Sequence, residues 1–304
     1  MTTEAQFELA DLGAILLNEQ IELLGSSFEK PVDEDWFRWK HLDGPWGPSH
    51  GVVAIDDQGP AAMLLVLPWQ VRYSGGLRIL GRSLDSGTLP RAQRRGLFRT
   101  MVAKWVNDER SAGQPFTFCT ASEAAASSHA KGGATVLSFT HALASPFTSS
   151  IGVARFVSVP VAEAVTTYGI GTKNSGETIS THWEPNSLAW RFDPRSGLDY
   201  KAALLKHADA STGLVYRIES RRGIRILIRT LVWGDNRGVA RLTASVARWH
   251  RAPLALDLAR HLRQPRRVQG TSLVCAWSHS DTSTLRPTEL QGWDLTLTDL
   301  EGVI

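Results

Sequence analysis

Apolar and polar positions alternate along this chain with periods that shift between strand and helix, and those shifts mark its elements. Leu97, Phe98, Met101, Val102, Trp105 and Val106 recur on one face and predict an amphipathic helix. The residues before it, from Leu84 through Thr88, read as a strand that ends in a short basic turn. Phe116 to Ala121 alternates like a buried strand, and Ser122 to Ala134 reads as an alanine-rich helix closed by Gly132 and Gly133. Ile224 to Val232 is a further apolar strand. Ser272 to Trp277 and Trp293 to Leu297 also alternate, which predicts closing strands for the C-terminal part.

The turn is the most informative of these elements. Gln93, Arg94, Arg95 and Gly96 lead directly into the helix, so free backbone N–H groups, the positive helix end and two arginines converge. Gly96 lets a backbone come close to a ligand without a Cβ between them. A phosphate or pyrophosphate suits that point, although an ordinary basic helix start would look the same. Each dipole contact contributes only about 0.3–1 kcal/mol, so several N–H groups and both arginines must act together.

Composition and charge bound the rest. With 304 residues, 42% of them hydrophobic, the chain can bury a real core and is long enough for two domains. The acidic start, with Glu4 and Glu8, lacks the basic and apolar pattern of a secretory leader. The longest apolar stretch, around Ala61 to Leu67, falls far short of the roughly 20 residues that cross a bilayer. Cys119 and Cys275 lie in apolar settings without metal-ligand spacing and read as core thiols of a reduced, cytoplasmic protein.

The net charge of +3 conceals an asymmetry: residues 1–60 carry twelve acids against three bases, and residues 190–270 carry seventeen bases against six acids. The basic region could receive an acidic partner, such as an acyl carrier protein or an anionic substrate, or the two portions could offset each other within the monomer. Nucleic acid is the weaker option, because the bases are scattered and no binding signature accompanies them.

Gln93-Arg94-Arg95-Gly96-Leu97-Phe98, after a strand ending in Thr88-Leu89-Pro90, resembles the coenzyme A signature of the GNAT acyltransferase superfamily. That signature runs Gln or Arg, two residues, Gly, one residue, then Gly or Ala, and Phe98 departs from its last position. The following strand and helix resemble the family's next motif. Ser122 stands at its Asn, His129 at its Tyr, Lys131 and Gly133 match, and Ala134 replaces its Phe. The resemblance implies an α/β fold built on a mostly antiparallel mixed sheet flanked by helices.

It also implies acetyl-CoA or another acyl-CoA as co-substrate, with no metal, and an amine acceptor that attacks the thioester directly. The pyrophosphate would sit at Gln93 to Phe98, with Ser122 at the coenzyme, and the pantetheine arm would run along Ser86-Gly87-Thr88, where the strand must splay from its neighbour. His129, as an imidazolium, would protonate the leaving thiolate; a solvated helix histidine is the plainer reading. Asp85 is the candidate base for the amine, or else a structural hydrogen-bond acceptor, depending on the face of the strand it occupies.

The chain also echoes itself. Trp36-Phe37-Arg38-Trp39-Lys40 returns as Leu188-Ala189-Trp190-Arg191-Phe192, Arg95 to Arg99 as Arg237 to Arg241, and Val102 to Trp105 as Val246 to Trp249. The echoes predict tandem GNAT-like modules at 1–167 and 186–304, joined by a linker at 168–185. The second reads as degenerate, because Asp235 occupies the signature's Gln or Arg position and would repel a pyrophosphate.

Other chemistry is missing from the sequence. There is no Walker loop, no His-Glu-x-x-His and no Gly-x-Ser-x-Gly, and Gly169 to Asn174 lacks the third glycine of a dinucleotide fingerprint. Trp36, Trp39, Trp46 and Trp69 could line a cleft for an acyl chain or a sugar, or belong to the core. Three functions compete: an N-acyltransferase acting on a small-molecule, amino-sugar or peptide amine, the same enzyme served by a carrier protein, and a scaffold that retains only the fold. Monomer and homodimer are both open.

Overall fold

The structure, a computed structural model, describes residues 7–147, 152, 154–167, 178–205, 212–262, 267–279 and 285–300. In chain order the elements are β1 (Glu8–Asp11), α1 (Leu17–Phe28), α2 (Glu34–His41), β2 (His50–Asp56), β3 (Gly59–Tyr73), β4 (Gly76–Thr88), α3 (Leu97–Ser111), β5 (Phe116–Ala121), α4 (Glu123–Lys131) and β6 (Thr135–Ala144). There follow β7 (Phe156–Val159), α5 (Val161–Ala164), β8 (Ser180–Thr181), α6 (Pro185–Arg191), β9 (Lys201–Leu205), β10 (Gly213–Arg221), β11 (Ile224–Trp233), α7 (Asn236–Trp249), β12 (Leu254–Leu258), β13 (Arg267–Ser278) and α8 (Leu297–Leu300). This is the mixed, mostly antiparallel α/β architecture expected from the sequence.

The chain divides into two compact units, residues 1–137 with 273–293, and residues 138–272 with 294–304. Of the segment expected to be a linker, 168–185, residues 178–185 belong to the second unit, and residues 168–177, with the Gly169 to Asn174 stretch, lie outside the described residues. The chain leaves the first unit within β6 and returns to it within β13.

In the first unit the strand order is β1-β2-β3-β4-β5-β13. The β3–β4 hairpin closes on Ser74-Gly75, with φ of 49° and 76°, a pair of positive values that matches the twist of the flanking strands. Alternation sends β3 into two cores. Leu64 and Val66 join Met101, Val102 and Trp105 of α3, while Met63 and Leu65 join Leu23 and Leu24 of α1 and Phe37 of α2. Trp39 and Trp69 are buried, and Trp36 and Trp46 are half-buried.

In the second unit the order is β6-β12-β11-β10-β9-β7, and the β10–β11 hairpin again closes on two positive-φ residues, Arg222 and Gly223. Its core gathers Leu214, Tyr216 and Leu227 under Leu242 and Val246 of α7.

The C-terminal expectations need two corrections. Ser272 to Trp277 is a strand, but from Leu273 onward it pairs with β5 and completes the first unit. Trp293 to Leu297 is not a strand. Asp299 accepts from the Thr296 backbone N–H at 2.6 Å and its hydroxyl at 2.9 Å, which starts α8 instead.

Candidate functional site

The site begins with a local defect in β4. Met63 pairs with Gly87 and Leu65 with Leu84, so Asp85 and Ser86 together face the single residue Leu64. This is a β-bulge, and Asp85 takes φ of 52° within it. Among the described residues β4 and β5, which run parallel, pair only at Arg82–Phe118 and Ser83–Cys119. The strands therefore part where β4 bulges, and Ser86, Gly87 and Thr88 lie along the opened edge. Gly87 also receives α1 closely, since a Cβ there would stand 2.6 Å from Ser27 Oγ.

After β4 the chain turns through Pro90 to Ala92 and enters α3. The Gln93 side chain donates to the Thr88 carbonyl at 3.2 Å, so it braces the turn. Arg91 is engaged with Asp56 and with the Pro60 carbonyl at 3.2 Å. Arg94 and Gly96 both have positive φ, 61° and 77°, and no side chain caps α3. A helix start of this kind leaves its first N–H groups without intrahelical partners. Space beside Gly96 is open, and Arg94 and Arg95 are exposed, with the Arg95 guanidinium 4.4 Å over the Phe7 ring. Leu97 is buried and Phe98 packs on the α3 core, so the residue that departs from the signature points inward.

Asp85 does not stand free on the opened side. Its Oδ2 lies 2.5 Å from Lys40 Nζ and 3.2 Å from His41 Nε2, both on α2. Burial works against ionisation, yet the Lys40 ammonium and the His41 contact outweigh it and hold the carboxyl at about 2. So acidic a group is a poor base, which favours the structural alternative. Burial pushes His41 below its ordinary value, and its Nδ1 contacts Ser49 Oγ at 2.9 Å. Lys40, His41 and Ser49 were not singled out as site residues. The signal available was the adjacent Lys40-His41 pair at the end of an aromatic helix, and only the fold brings it to Asp85.

His129 sits on α4, whose N-terminus is capped by Ser122 Oγ accepting from the Ala125 N–H at 3.3 Å. Its ring lies between Phe98 at 5.0 Å and Trp277 at 5.2 Å, and it is 4% exposed. Nδ1 is buried and has no hydrogen-bond partner among the described residues, and burial pushes the imidazole down to about 4. Burial between two aromatic faces, which replace the water that would solvate the cation, works against the expected imidazolium.

The second unit has the same parts in another state. Leu231 pairs with Val215 and Arg229 with Tyr216, so β11 bulges at Thr230. β11 and β12 pair in parallel from Ile226–Leu254 to Ile228–Leu256. Just beyond, Arg229 Nε meets Asp257 Oδ2 at 3.2 Å and ties the two strands together. The Thr230 carbonyl accepts from the Thr298 hydroxyl at 3.0 Å. At the head of α7, Asp235 accepts from the N–H groups of Arg237 and Gly238, each at 2.9 Å. A carboxylate thus already occupies the helix start. Among the described residues no cluster of three or more His, Cys, Asp or Glu could hold a metal ion, and no helix is long and apolar enough to cross a membrane.

No family model and no curated protein matches this sequence. Solved structures do match the fold. A probable N-acyltransferase of Enterococcus faecalis aligns with a TM-score of 0.70 at 11% identity, covering 90% of this chain and 72% of that one. A GCN5-related N-acetyltransferase from Kribbella flavida aligns with a TM-score of 0.65 at 14% identity, over 90% of this chain and 71% of the other. A tandem GNAT protein from the clavulanic acid biosynthesis pathway aligns with a TM-score of 0.54 at 12% identity, over 91% of this chain and all of its own. At these identities the likeness is one of fold, and the fold is GNAT-like.

Proposed function

With the GNAT-like fold as premise, we propose that the first unit is an N-acyltransferase that takes acetyl-CoA or a longer acyl-CoA and transfers its acyl group to an amine. The observation that carries this reading is the coincidence of three features in one unit: the two-position pairing of β4 and β5, the bulge at Asp85 and Ser86, and the uncapped, arginine-flanked start of α3. The pyrophosphate would be held by Arg94, Arg95 and the N–H groups after Gly96, a polyanion against a positive helix end. The pantetheine amides would bond to the freed edge at Ser86, Gly87 and Thr88, with Gln93 bracing the turn and Ser122 at the mouth of α4.

The acceptor amine attacks the thioester carbonyl directly, and a backbone N–H of the bulge stabilises the oxyanion that develops. With Asp85 held near 2 and His129 near 4, a carboxylate base and an imidazolium donor are both disfavoured at neutral pH. Water removes the amine proton and returns one to the thiolate. The acceptor is a small-molecule, amino-sugar or peptide amine. The second unit shapes the protein without binding coenzyme, because Asp235 and the Arg229–Asp257 pair occupy the equivalent positions.

Calorimetric titration with coenzyme A and acetyl-CoA, of the parent and of Arg94→Glu/Arg95→Glu, tests the reading. It expects affinity on the order of micromolar in the parent and its loss in the variant. No binding by the parent would remove the acyl-CoA reading and leave a carrier-protein donor or a scaffold.

A further inference from the structure

We propose that Asp85, Lys40 and His41 form a latch that holds the β4 bulge open, so that Asp85 is a positioning residue for the backbone N–H groups of Ser86 to Thr88. This rests on the acyl-CoA reading and deepens it. Among the described residues the other non-glycine residues with positive φ stand in turns or at a helix end; Asp85, at 52°, stands inside a strand. That conformation is disfavoured by the Cβ and persists only where the surroundings over-determine it.

The surroundings here are specific. The Asp85 carboxylate is buried between Lys40 Nζ at 2.5 Å and His41 Nε2 at 3.2 Å. His41 is in turn fixed by Ser49 Oγ at 2.9 Å on Nδ1 and by the Phe37 ring at 4.7 Å. Removing Asp85 would take the carboxylate from the buried Lys40 ammonium, and removing Lys40 would leave the buried carboxylate only its His41 contact. The latch therefore links α2 to the backbone at the parting of β4 from β5. The bulge of β11 has no such latch: Thr230 lies outside the positive-φ region.

The test is hydrogen exchange of the β4 amides in the full chain, together with acetyl-CoA affinity, for the parent, Asp85→Ala, Lys40→Met and Asp85→Gly/Lys40→Met. Each single variant should exchange about tenfold faster at Ser86 to Thr88 and bind acetyl-CoA about tenfold more weakly, while amides of β2 keep parental rates. The double variant has a glycine that accepts the positive φ and no stranded ammonium, so it should recover to within about threefold of the parent on both readouts. Parental exchange in the single variants, or a double variant no better than Asp85→Ala, would overturn the latch. If a single variant does not fold, a folded double variant with parental exchange supports the latch, and one that fails to fold overturns it. If the parent does not bind acetyl-CoA, the acyl-CoA reading falls, while the exchange comparison still decides the latch.

Discussion

The two units share a strand order, a hairpin turn and a bulged strand beside a short parallel pairing, yet they differ at the head of one helix. In the first unit α3 begins after Gly96 with no side-chain cap among the described residues; in the second α7 begins under the carboxylate of Asp235. A helix start can accept an external anion or an internal one, and each of these two has a different tenant available. The parting of the parallel strands follows the same division, since Arg229 and Asp257 tie β11 to β12 while Asp85 turns aside to α2. Two units with similar strand order can thus differ in whether a side chain of the chain itself covers the helix start.

The largest expected effect breaks this contrast from the first unit's side. Reversing both arginines, Arg94→Glu/Arg95→Glu, should cost at least about 100-fold in coenzyme A affinity, since two charge-assisted contacts are lost and repulsion replaces them. Calorimetry measures it. A loss under about threefold would show that the turn does not hold the pyrophosphate.

Next comes the pH dependence of stability. His129 ordinarily titrates at 6.5 and in the fold at about 4, so the unfolded chain binds the extra proton between those values. Stability from this residue is complete above pH 6.5 and is lost as pH falls toward 4, by about 3 kcal/mol in all. Thermal melts across that range should flatten in His129→Phe; an unchanged slope would reassign the effect to another histidine.

Gly213→Ala sharpens the comparison from the second unit. A Cβ there would stand 2.1 Å from the Trp233 ring, which should lower stability by about 1–3 kcal/mol in denaturant titration. Coenzyme A affinity should stay within about twofold of the parent, and a larger drop would implicate the second unit in binding. The smallest effect is that of Asp235→Ala. Loss of the cap costs about 1 kcal/mol, and the freed helix start should still bind no coenzyme because the Arg229–Asp257 tie persists. Binding of a second equivalent of coenzyme A would show that Asp235 alone silenced that unit.

Much of the first unit was legible locally. The strand expected at Phe116 to Ala121 is β5 to the residue, α3 begins at the expected Leu97, and Ser122 caps α4 before its glycine stop. Those features depend on period and capping, which neighbours in sequence decide. The echoed segments fall in α2 and α6 and in α3 and α7. Asp85 was named without its face, because a bulge shifts the alternation by one residue and period-two reasoning then fails. His129 was placed by spacing, but its burial depends on Phe98 and on Trp277, which lies 148 positions further along the chain.

By itself the sequence determined α3, β5 and α4, the basic turn into α3 with its Gly96, and the acidic residue Asp235 at the corresponding place before α7. Each of these depends on residues a few positions apart. Tertiary structure decided which strand lies beside β5, where the compact units divide, that Trp293 to Thr296 leads into α8 instead of forming a strand, and that Asp85 meets Lys40 and His41 rather than solvent. Strand partnership and burial are set by groups distant in the chain, and a pattern of apolar positions records that a face is covered without recording what covers it.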